Sequence, residues 1–520
     1  MPSKLMPSYL LSLYSVFVFP VFIYFPNNCK VLSPFFYIPL ILAYLLLIKQ
    51  ISSTKEEYFM LTVILISYLV IMFGVSVWAN KFNSSAEDFL LAGRRLGVFL
   101  AAFTLAATYF GGGYVVGLGA EAYSSGMIAW YNGLAGAVGI LAVCLVLKKM
   151  EGMQLYTVAE LLETRYGSPL LRFLCAMLSL LALIGILSGQ VNSAGSILSS
   201  IGIGSPVVGG LIAAAFFIGY TVVGGLWAVT ITDFIQIIVA GAGIIAATFF
   251  TVNKLGGWSG MVEAVNSQTS ANYFTMTQGV EPSYILYLIL PMFIYTLIGQ
   301  DVYQRLFAAK DTKTAKKAGI LACVIVGILT FFPVILGIAG KAIFPELANP
   351  SLVVPQIISA ILPPVLGGIT LAAVIAAILS TADSILTAAT SHVIGDVYLR
   401  FILKDGTADD AKLLKLSRIW TLIIGLISVF VALMMPNILN VLLLSYTIYT
   451  AGVFAPVVGG LLWKKATKEG AFAGLAGGLL FVVLGMNGFS IFGIPSDIMS
   501  CLFSVIIFAV VSLFTYKPAA

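Results

Sequence analysis

Long apolar runs, separated by short polar connections, follow one another along the whole chain. Most of these runs reach or exceed the roughly 20 residues that a helix needs to cross a bilayer. Backbone groups in hydrocarbon have to be hydrogen-bonded within their own segment, so each run is expected to be helical. The pattern predicts an all-α, polytopic membrane protein with about fifteen spans, at 8-25, 35-49, 58-79, 96-121, 123-147, 168-199, 205-223, 228-251, 283-304, 317-343, 366-394, 418-435, 437-462, 470-488 and 495-516.

Composition supports this class. Of the 520 residues, 60% are hydrophobic and 9% charged, and the mean hydropathy is +1.06, which no soluble domain could accommodate. The polar connections are too short for a nucleotide-binding domain, and no Gly-Lys-Ser/Thr phosphate loop occurs. One histidine and five cysteines without metal-ligand spacing form no catalytic cluster, so an enzyme is not expected. The sequence favours transport driven by an ion gradient, with a passive channel as the weaker alternative.

The positive charges orient the spans. Connections rich in lysine and arginine are cytoplasmic by the positive-inside rule. The connections around 252-282 and 344-365 carry only Lys254 and Lys341 as cations and are predicted to be external. The tail 517-520 is then cytoplasmic, and the net charge of +6 needs no nucleic-acid partner. The predicted location is the cell membrane. The cytoplasmic cations are Lys81, Arg94, Arg95, Lys148, Lys149, Arg305, Lys310, Lys313, Lys316, Lys317, Arg400, Lys404, Lys412, Lys415, Arg418, Lys464, Lys465 and Lys468.

The N-terminal extension, residues 1-57, has two interpretations. Its two apolar runs are interrupted by prolines and lack a clear cleavage site, so they could form an extra helical hairpin. Alternatively, Met60 is the true start, and the upstream segment is an artefact of the gene model. The main domain is predicted at 58-516 in either case.

Two spans are interrupted at corresponding positions. Three consecutive glycines, Gly111 to Gly113, lie in the middle of the run 96-121, and Gly299 weakens the run 283-307. Broken helices in corresponding halves of a membrane protein are the best sequence pointer to an inverted-repeat secondary transporter, here with repeats at about 96-251 and 283-462. The alternative is that the glycines only allow close helix packing.

A polar face lies in the run 366-394. Ala377, Ser380, Thr381 and Ser384 follow the i, i+3, i+4, i+7 spacing and share one side of a helix. Hydroxyl oxygens, together with carbonyls freed at a broken helix, would suit sodium. The alternative for these hydroxyls is a bond back to a carbonyl of their own helix.

Asp233 and Asp383 are acidic residues inside predicted spans. An acid in a span is a functional hypothesis by default, and a proton-coupled symporter that uses this pair is the main alternative to sodium coupling. Either carboxylate could instead be a satisfied structural group near the cytoplasmic side.

Four motifs together resemble the sodium:solute symporter family. They are Leu91-Ala-Gly-Arg-Arg-Leu-Gly97, Gly224-Gly-Leu-Trp-Ala-Val-Thr-Ile-Thr-Asp-Phe-Ile-Gln236, Gln304-Arg305 followed by Ala308-Ala-Lys310, and Leu379-Ser-Thr-Ala-Asp-Ser384. The resemblance implies the leucine-transporter fold, with two inverted five-helix repeats plus flanking helices. It also implies alternating access and sodium-coupled import of a small polar organic solute across the lipid bilayer.

The resemblance also implies ion sites. A sodium ion would be bound by the carbonyls of Ala107, Phe110 and Ala377 and the hydroxyls of Ser380 and Thr381. A second cation site is implied at Asp233, Asp383 and Ser384, although Asp383 replaces a serine found in the members that have this site. One sodium ion is therefore expected, and a second site stays open.

The solute pocket follows from the two breaks. The run around Tyr109 is most similar to that of choline-type members, but Tyr109 and Gly299 stand where those members have tryptophans that hold the quaternary ammonium group. The remaining polar and aromatic groups suit an amino acid, an osmolyte, a vitamin or a carboxylate. The predicted pocket residues are Tyr109, Gly112, Gly113, Gln190, Gly299, Gln300 and Asp301.

Overall fold

The computed structural model describes residues 56–517, except for 154, 270–271, 278–280, 404–408, 436–437 and 490–495. The spans predicted at 8-25 and 35-49 lie outside the described residues. The described helices, in chain order, are α1 Glu56–Ala79, α2 Ala86–Leu91, α3 Val98–Tyr109, α4 Leu118–Ser125, α5 Trp130–Val146, α6 Val158–Tyr166, α7 Pro169–Ser200, α8 Pro206–Lys254, α9 Gly257–Gln268, α10 Pro282–Ile298, α11 Gln300–Phe307, α12 Thr312–Leu329, α13 Phe331–Ile343, α14 Val353–Ile361, α15 Pro364–Ser391, α16 Asp410–Met434, α17 Ile438–Leu462, α18 Lys468–Met486 and α19 Ser496–Thr515. Short π-helical segments, Gly112–Gly117 and His392–Ile402, precede α4 and extend α15.

Ten helical stretches in the described part are long and apolar enough to cross a membrane, and the bent pair α10 and α11 makes an eleventh. The predicted spans 205-223 and 228-251 together form α8, which has 49 residues. A straight helix of that length would extend about 73 Å, more than twice the roughly 30 Å of hydrocarbon. Gly225 divides α8, because its φ of 53° and ψ of −156° are not helical.

The connections predicted to be external are partly helical. The connection 252-282 contains α9, and 344-365 contains α14. α14 packs against α15, and α9 packs against α13.

The helix α15 lies at the centre of the protein. Residues 370–396 are all buried, and α15 packs against α1, α3, α7, α8 and α16. Neighbours on every side explain why this helix can carry hydroxyl and carboxyl groups away from lipid. The polar face predicted in the run 366-394 is therefore enclosed by protein.

Two of the recognised motifs meet where the first broken helix begins. The Leu96 amide donates to the Ala308 carbonyl at 3.0 Å, and the Lys310 amide donates to the Leu96 carbonyl at 3.1 Å. Asp88 of α2 supports this junction, because it accepts a hydrogen bond from Ser84 Oγ at 2.5 Å and pairs with Arg95. The start of α3 is thereby joined to the end of α11.

Candidate functional site

The first broken helix frees a backbone carbonyl inside the protein. Helix α3 ends at Tyr109, and Gly111, with φ of −109° and ψ of −148°, separates it from the next helical segment. The Gly111 amide donates to the Tyr109 carbonyl at 2.8 Å. In a continuous helix, the Gly111 amide would donate to the Ala107 carbonyl instead.

Helix α15 faces this break at close range. A Cβ added to Gly111 would lie only 1.8 Å from Thr381 Oγ1 and 3.0 Å from the Ala377 carbonyl oxygen. Thr381 Oγ1 is 3.5 Å from the Ala107 carbonyl oxygen and 3.2 Å from that of Ala377. Oxygen atoms of two distant segments thus converge, as in transporter sodium sites built on unwound carbonyls.

Ser380 and Phe110 complete the predicted set. Ser380 Oγ donates to the Ala377 carbonyl at 2.9 Å, so both hydroxyls make the bond to their own helix that was considered as an alternative. A hydroxyl that donates its hydrogen keeps lone pairs on its oxygen, so the Ser380 and Thr381 hydroxyls can still bind a cation. Phe110 is buried and directly follows the last residue of α3.

The residues of the possible second cation site also come together. Asp233 Oδ2 accepts from Thr104 Oγ1 at 2.5 Å, and Thr108 Oγ1 lies 3.4 Å from Ser384 Oγ. Asp233 and Asp383 are fully buried. Within the described part of the protein, Asp233 Oδ1 and both carboxylate oxygens of Asp383 lack a hydrogen-bond partner.

Arg305 belongs to this acidic cluster. The positive-inside rule predicts a cytoplasmic loop cation at this position, and that prediction is wrong, because Arg305 is fully buried. Its Nη1 donates to the carbonyls of Asp301 and Ser384, each at 3.3 Å. The buried guanidinium interacts electrostatically with Asp233, Asp301 and Asp383, which helps these spans to tolerate acidic groups.

Aromatic residues line the space between the two helix breaks. Tyr109 donates to Thr296 Oγ1 at 2.8 Å, and its ring centroid is 5.8 Å from that of Tyr114. Tyr295 donates to Asp301 Oδ1 at 3.0 Å, and its ring packs edge-on against Tyr446 at 4.8 Å. Tyr109 and Asp301 are thus buried beside the breaks, and Thr296 and Tyr295, which join them there, belong to no motif that would identify them.

The glycines and Gln190 shape the same space. Gln190 Oε1 is buried and has no hydrogen-bond partner among the described residues, and a Cβ on Gly112 would lie 2.8 Å from it. Nothing lies within 4 Å of a Cβ added at Gly113. At Gly299, where α10 and α11 meet at 43°, an added Cβ would lie 2.7 Å from Asp301 Oδ1.

Gln300 does not join this group. Its side chain is fully buried, and it accepts from the Val158 amide at 2.8 Å and donates to the Tyr156 carbonyl at 3.1 Å. It also donates to Ser391 Oγ at 2.9 Å. All polar atoms of Gln300 are thus engaged by the loop before α6 and by the end of α15, and its contact with the solute stays a prediction.

Two broken helices around a central buried helix are the arrangement of known sodium-coupled transporters. The structure resembles a Na+-coupled sialic acid symporter in a substrate-bound outward-open state, with a TM-score of 0.78 at 21% identity over 89% of this chain and 99% of that one. It also resembles a nucleobase-cation-symport-1 family transporter, with a TM-score of 0.57 at 13% identity over 84% of this chain and 97% of that one. The fold is of the leucine-transporter type, as predicted.

Sequence comparison identifies the family. The profile of the Sodium:solute symporter family matches residues 89–478, so the chain belongs to that family. The sodium/pantothenate symporter of Escherichia coli (strain K12) is 29% identical over 88% of this chain and 97% of its own length. The sodium/glucose cotransporter of Vibrio parahaemolyticus is 27% identical over 86% of this chain and 89% of its own. The protein is a sodium-coupled, multi-pass symporter of the cell membrane, and the proton-coupled alternative is not favoured.

Proposed function

We propose that the protein imports a small polar organic solute together with a sodium ion held between the break after α3 and helix α15. The ligands are the carbonyl oxygens of Ala107, Phe110 and Ala377 and the hydroxyls of Ser380 and Thr381. The observation that carries this proposal is the approach of Thr381 Oγ1 to both the Ala107 and Ala377 carbonyl oxygens. These atoms belong to segments far apart in the sequence.

A sodium ion in this position would couple its own gradient to the solute. The ion joins the broken helix to α15, so it stabilises the conformation in which these two elements are close. Sodium shifts the conformational equilibrium only by its difference in affinity between the two states. Bound from outside, it favours the state that takes up solute, and inward opening separates the ligands and releases both.

The solute is proposed to bind between the two breaks, against Tyr109, Gly112, Gly113, Gln190, Gly299 and Asp301. The buried Gln190 Oε1 has no hydrogen-bond donor among the described residues, and an N–H or O–H group of the solute would supply one. The Tyr109 ring offers an apolar face beside it. Two relatives are named for pantothenate and glucose, and both compounds are polar organic molecules. The proposed class of solute also includes amino acids, osmolytes and carboxylates.

We further propose a second cation position at Asp233, Asp383 and Ser384. Arg305 interacts electrostatically with both carboxyl groups and also with Asp301, so one guanidinium serves three acidic groups. Buried charges of this kind are paired or bind cations. The unpartnered oxygens of Asp383 provide coordinating atoms at a position where the related members have serine.

Uptake into proteoliposomes tests the proposal. A panel of proline, other amino acids, choline, betaine, pantothenate, short carboxylates and sugars is offered with sodium or with potassium outside. Replacing Ser380 and Thr381 together with alanine should abolish the sodium-dependent component. Thr370→Ala is the matched control, because its hydroxyl lies on the same helix and donates to the Leu366 carbonyl at 2.8 Å. Sodium dependence that survives in the double variant would overturn the site.

A separate variant tests the solute site. Asp301→Asn keeps the size of the side chain and removes its charge beside Tyr295. We expect the solute KM to change more than the sodium concentration that gives half-maximal uptake. The reverse result would remove Asp301 from the solute pocket.

A further inference from the structure

We infer that Gln300 is a positioning residue that couples the solute site to a closed gate on the cytoplasmic side, an inference that rests on the proposed function. Gln300 directly follows the break at Gly299, yet its side chain is directed to the other side of α11. Its three hydrogen bonds reach the Val158 amide, the Tyr156 carbonyl and Ser391 Oγ. Any movement of the break is therefore transmitted to these partners.

Thr157, which lies between the Gln300 partners Tyr156 and Val158, belongs to a larger polar network, which we name the cytoplasmic latch. It consists of Thr157, Glu163, Arg172, Asp396 and Arg400. Thr157 Oγ1 and Arg172 Nε both donate to Asp396 Oδ1, each at 2.7 Å. Arg172 and Arg400 also pair with Glu163, at 3.1 Å and 2.7 Å. The latch ties α6 and the start of α7 to the extension of α15.

The position of the latch defines it as a gate. Its residues in α6 and α7 come shortly after Lys148 and Lys149 in the sequence. By the positive-inside rule, this end of the spans is cytoplasmic. Asp396 is fully buried, and the Arg172 side chain is only 8% exposed, so separating them without new partners would leave charges buried and unpaired. The inward path between α11 and α15 stays closed while these bonds persist.

Gln300 supplies the link that the latch itself lacks. Thr157 joins the loop before α6 to Asp396, whereas Gln300 joins the same loop to α11 and to the end of α15 at Ser391. Gly299 has no side chain that fixes the break, so a solute bound there can tilt α11. The tilt would draw Gln300 away from the Val158 amide and expose the N-terminus of α6.

The experiment measures access to the gate without requiring a known solute. Thr387 is replaced by cysteine in a cysteine-free background, because Thr387 is fully buried and lies one turn before Ser391, where α15 meets Gln304 of α11. Inside-out vesicles are treated with a membrane-impermeant thiol reagent. Gln300→Leu should raise the labelling rate at least tenfold, since each lost neutral hydrogen bond accounts for about 2- to 12-fold.

Controls separate the gate from general destabilisation. Asn83→Leu removes a partly buried amide bond elsewhere, from Nδ2 to the Gly224 carbonyl at 2.8 Å, and should leave labelling unchanged. Ser391→Ala removes one of the three Gln300 contacts and should give a smaller rise, which keeps the test available if Gln300→Leu fails to fold. In uptake, Gln300→Leu should lower the maximal rate and allow sodium to leak without solute, with little change in solute KM.

The outcomes distinguish this inference from the proposed function. Unchanged labelling in folded Gln300→Leu and in Ser391→Ala would overturn the role of Gln300, even if Ser380 and Thr381 prove to bind sodium. Equal increases in Asn83→Leu and Gln300→Leu would also overturn it, because the effect would then be non-specific. Increased labelling confined to the Gln300 contacts supports the gate, whatever the result at the sodium site.

Discussion

Replacing Gly111 with alanine would insert a methyl group between the two halves of the sodium site. The added Cβ would lie 1.8 Å from Thr381 Oγ1, 2.7 Å from Thr381 Cβ and 3.0 Å from the Ala377 carbonyl oxygen. Rotation of the Thr381 side chain can move its hydroxyl, but not its Cβ. The break and α15 therefore have to separate by roughly 1 Å to restore van der Waals distances.

The expected cost follows from the ligands that are displaced. A hydrogen-bonding contact to a charged group is worth about 1.5–3 kcal/mol. Loss of the Thr381 hydroxyl alone would thus weaken sodium affinity by about 10- to 150-fold. Gly117→Ala is the matched control in the same segment, because the nearest atom to its Cβ lies at 3.8 Å.

Sodium-dependent thermal stability measures this affinity without a solute. A ligand that binds only the folded protein stabilises it by RT ln(1 + [L]/Kd), so the sodium concentration at which the melting temperature rises reports Kd. Potassium replaces sodium at constant ionic strength. The reasoning is refuted if Gly111→Ala, monodisperse in detergent, responds to sodium within twofold of Gly117→Ala.

Three further predictions concern the solute site and the fold. Tyr109→Phe removes the bond to Thr296 Oγ1 and should raise the solute KM by about 2- to 12-fold with an unchanged sodium response, as measured by uptake. Gly225→Ala would place a Cβ 2.5 Å from the Phe89 ring at a φ of +53°, so size-exclusion chromatography should yield less folded protein. Burial raises the pKa of Asp88, but its hydrogen bonds and ion pair outweigh burial and lower the pKa below the ordinary value. Asp88→Asn should therefore lower the melting temperature at pH 7, and the difference should shrink as the pH falls below about 4.

Much of the fold could be predicted because the signals are local. Apolar runs of the right length gave the spans, and the glycines at 111–113 and 299 marked the two breaks. The division of α8 illustrates the limit of this reasoning. Hydropathy placed two spans there, and the structure has one long helical stretch divided at a single glycine, because Gly225 turns the chain without a polar loop.

The candidate site was predicted only in part. The i, i+3, i+4, i+7 spacing predicts one helix face that carries Ser380 and Thr381, and α15 brings Thr381 to the broken helix. Arg305 was misassigned, because its position next to a basic connection resembles that of a loop cation. Whether such a residue reaches the lipid surface or the acidic cluster depends on α8 and α15, which lie far away in the sequence.

The sequence by itself determined the membrane class, the order of the spans and the breaks, since hydropathy and glycine act within a few residues. Only the tertiary structure decided which groups meet across helices. It directed Gln300 to the loop before α6, brought Thr296 to Tyr109, and enclosed Arg305 near three aspartates. The physical reason is that the direction of a side chain beside a helix break depends on partners supplied by distant segments, and local propensity contains no record of them.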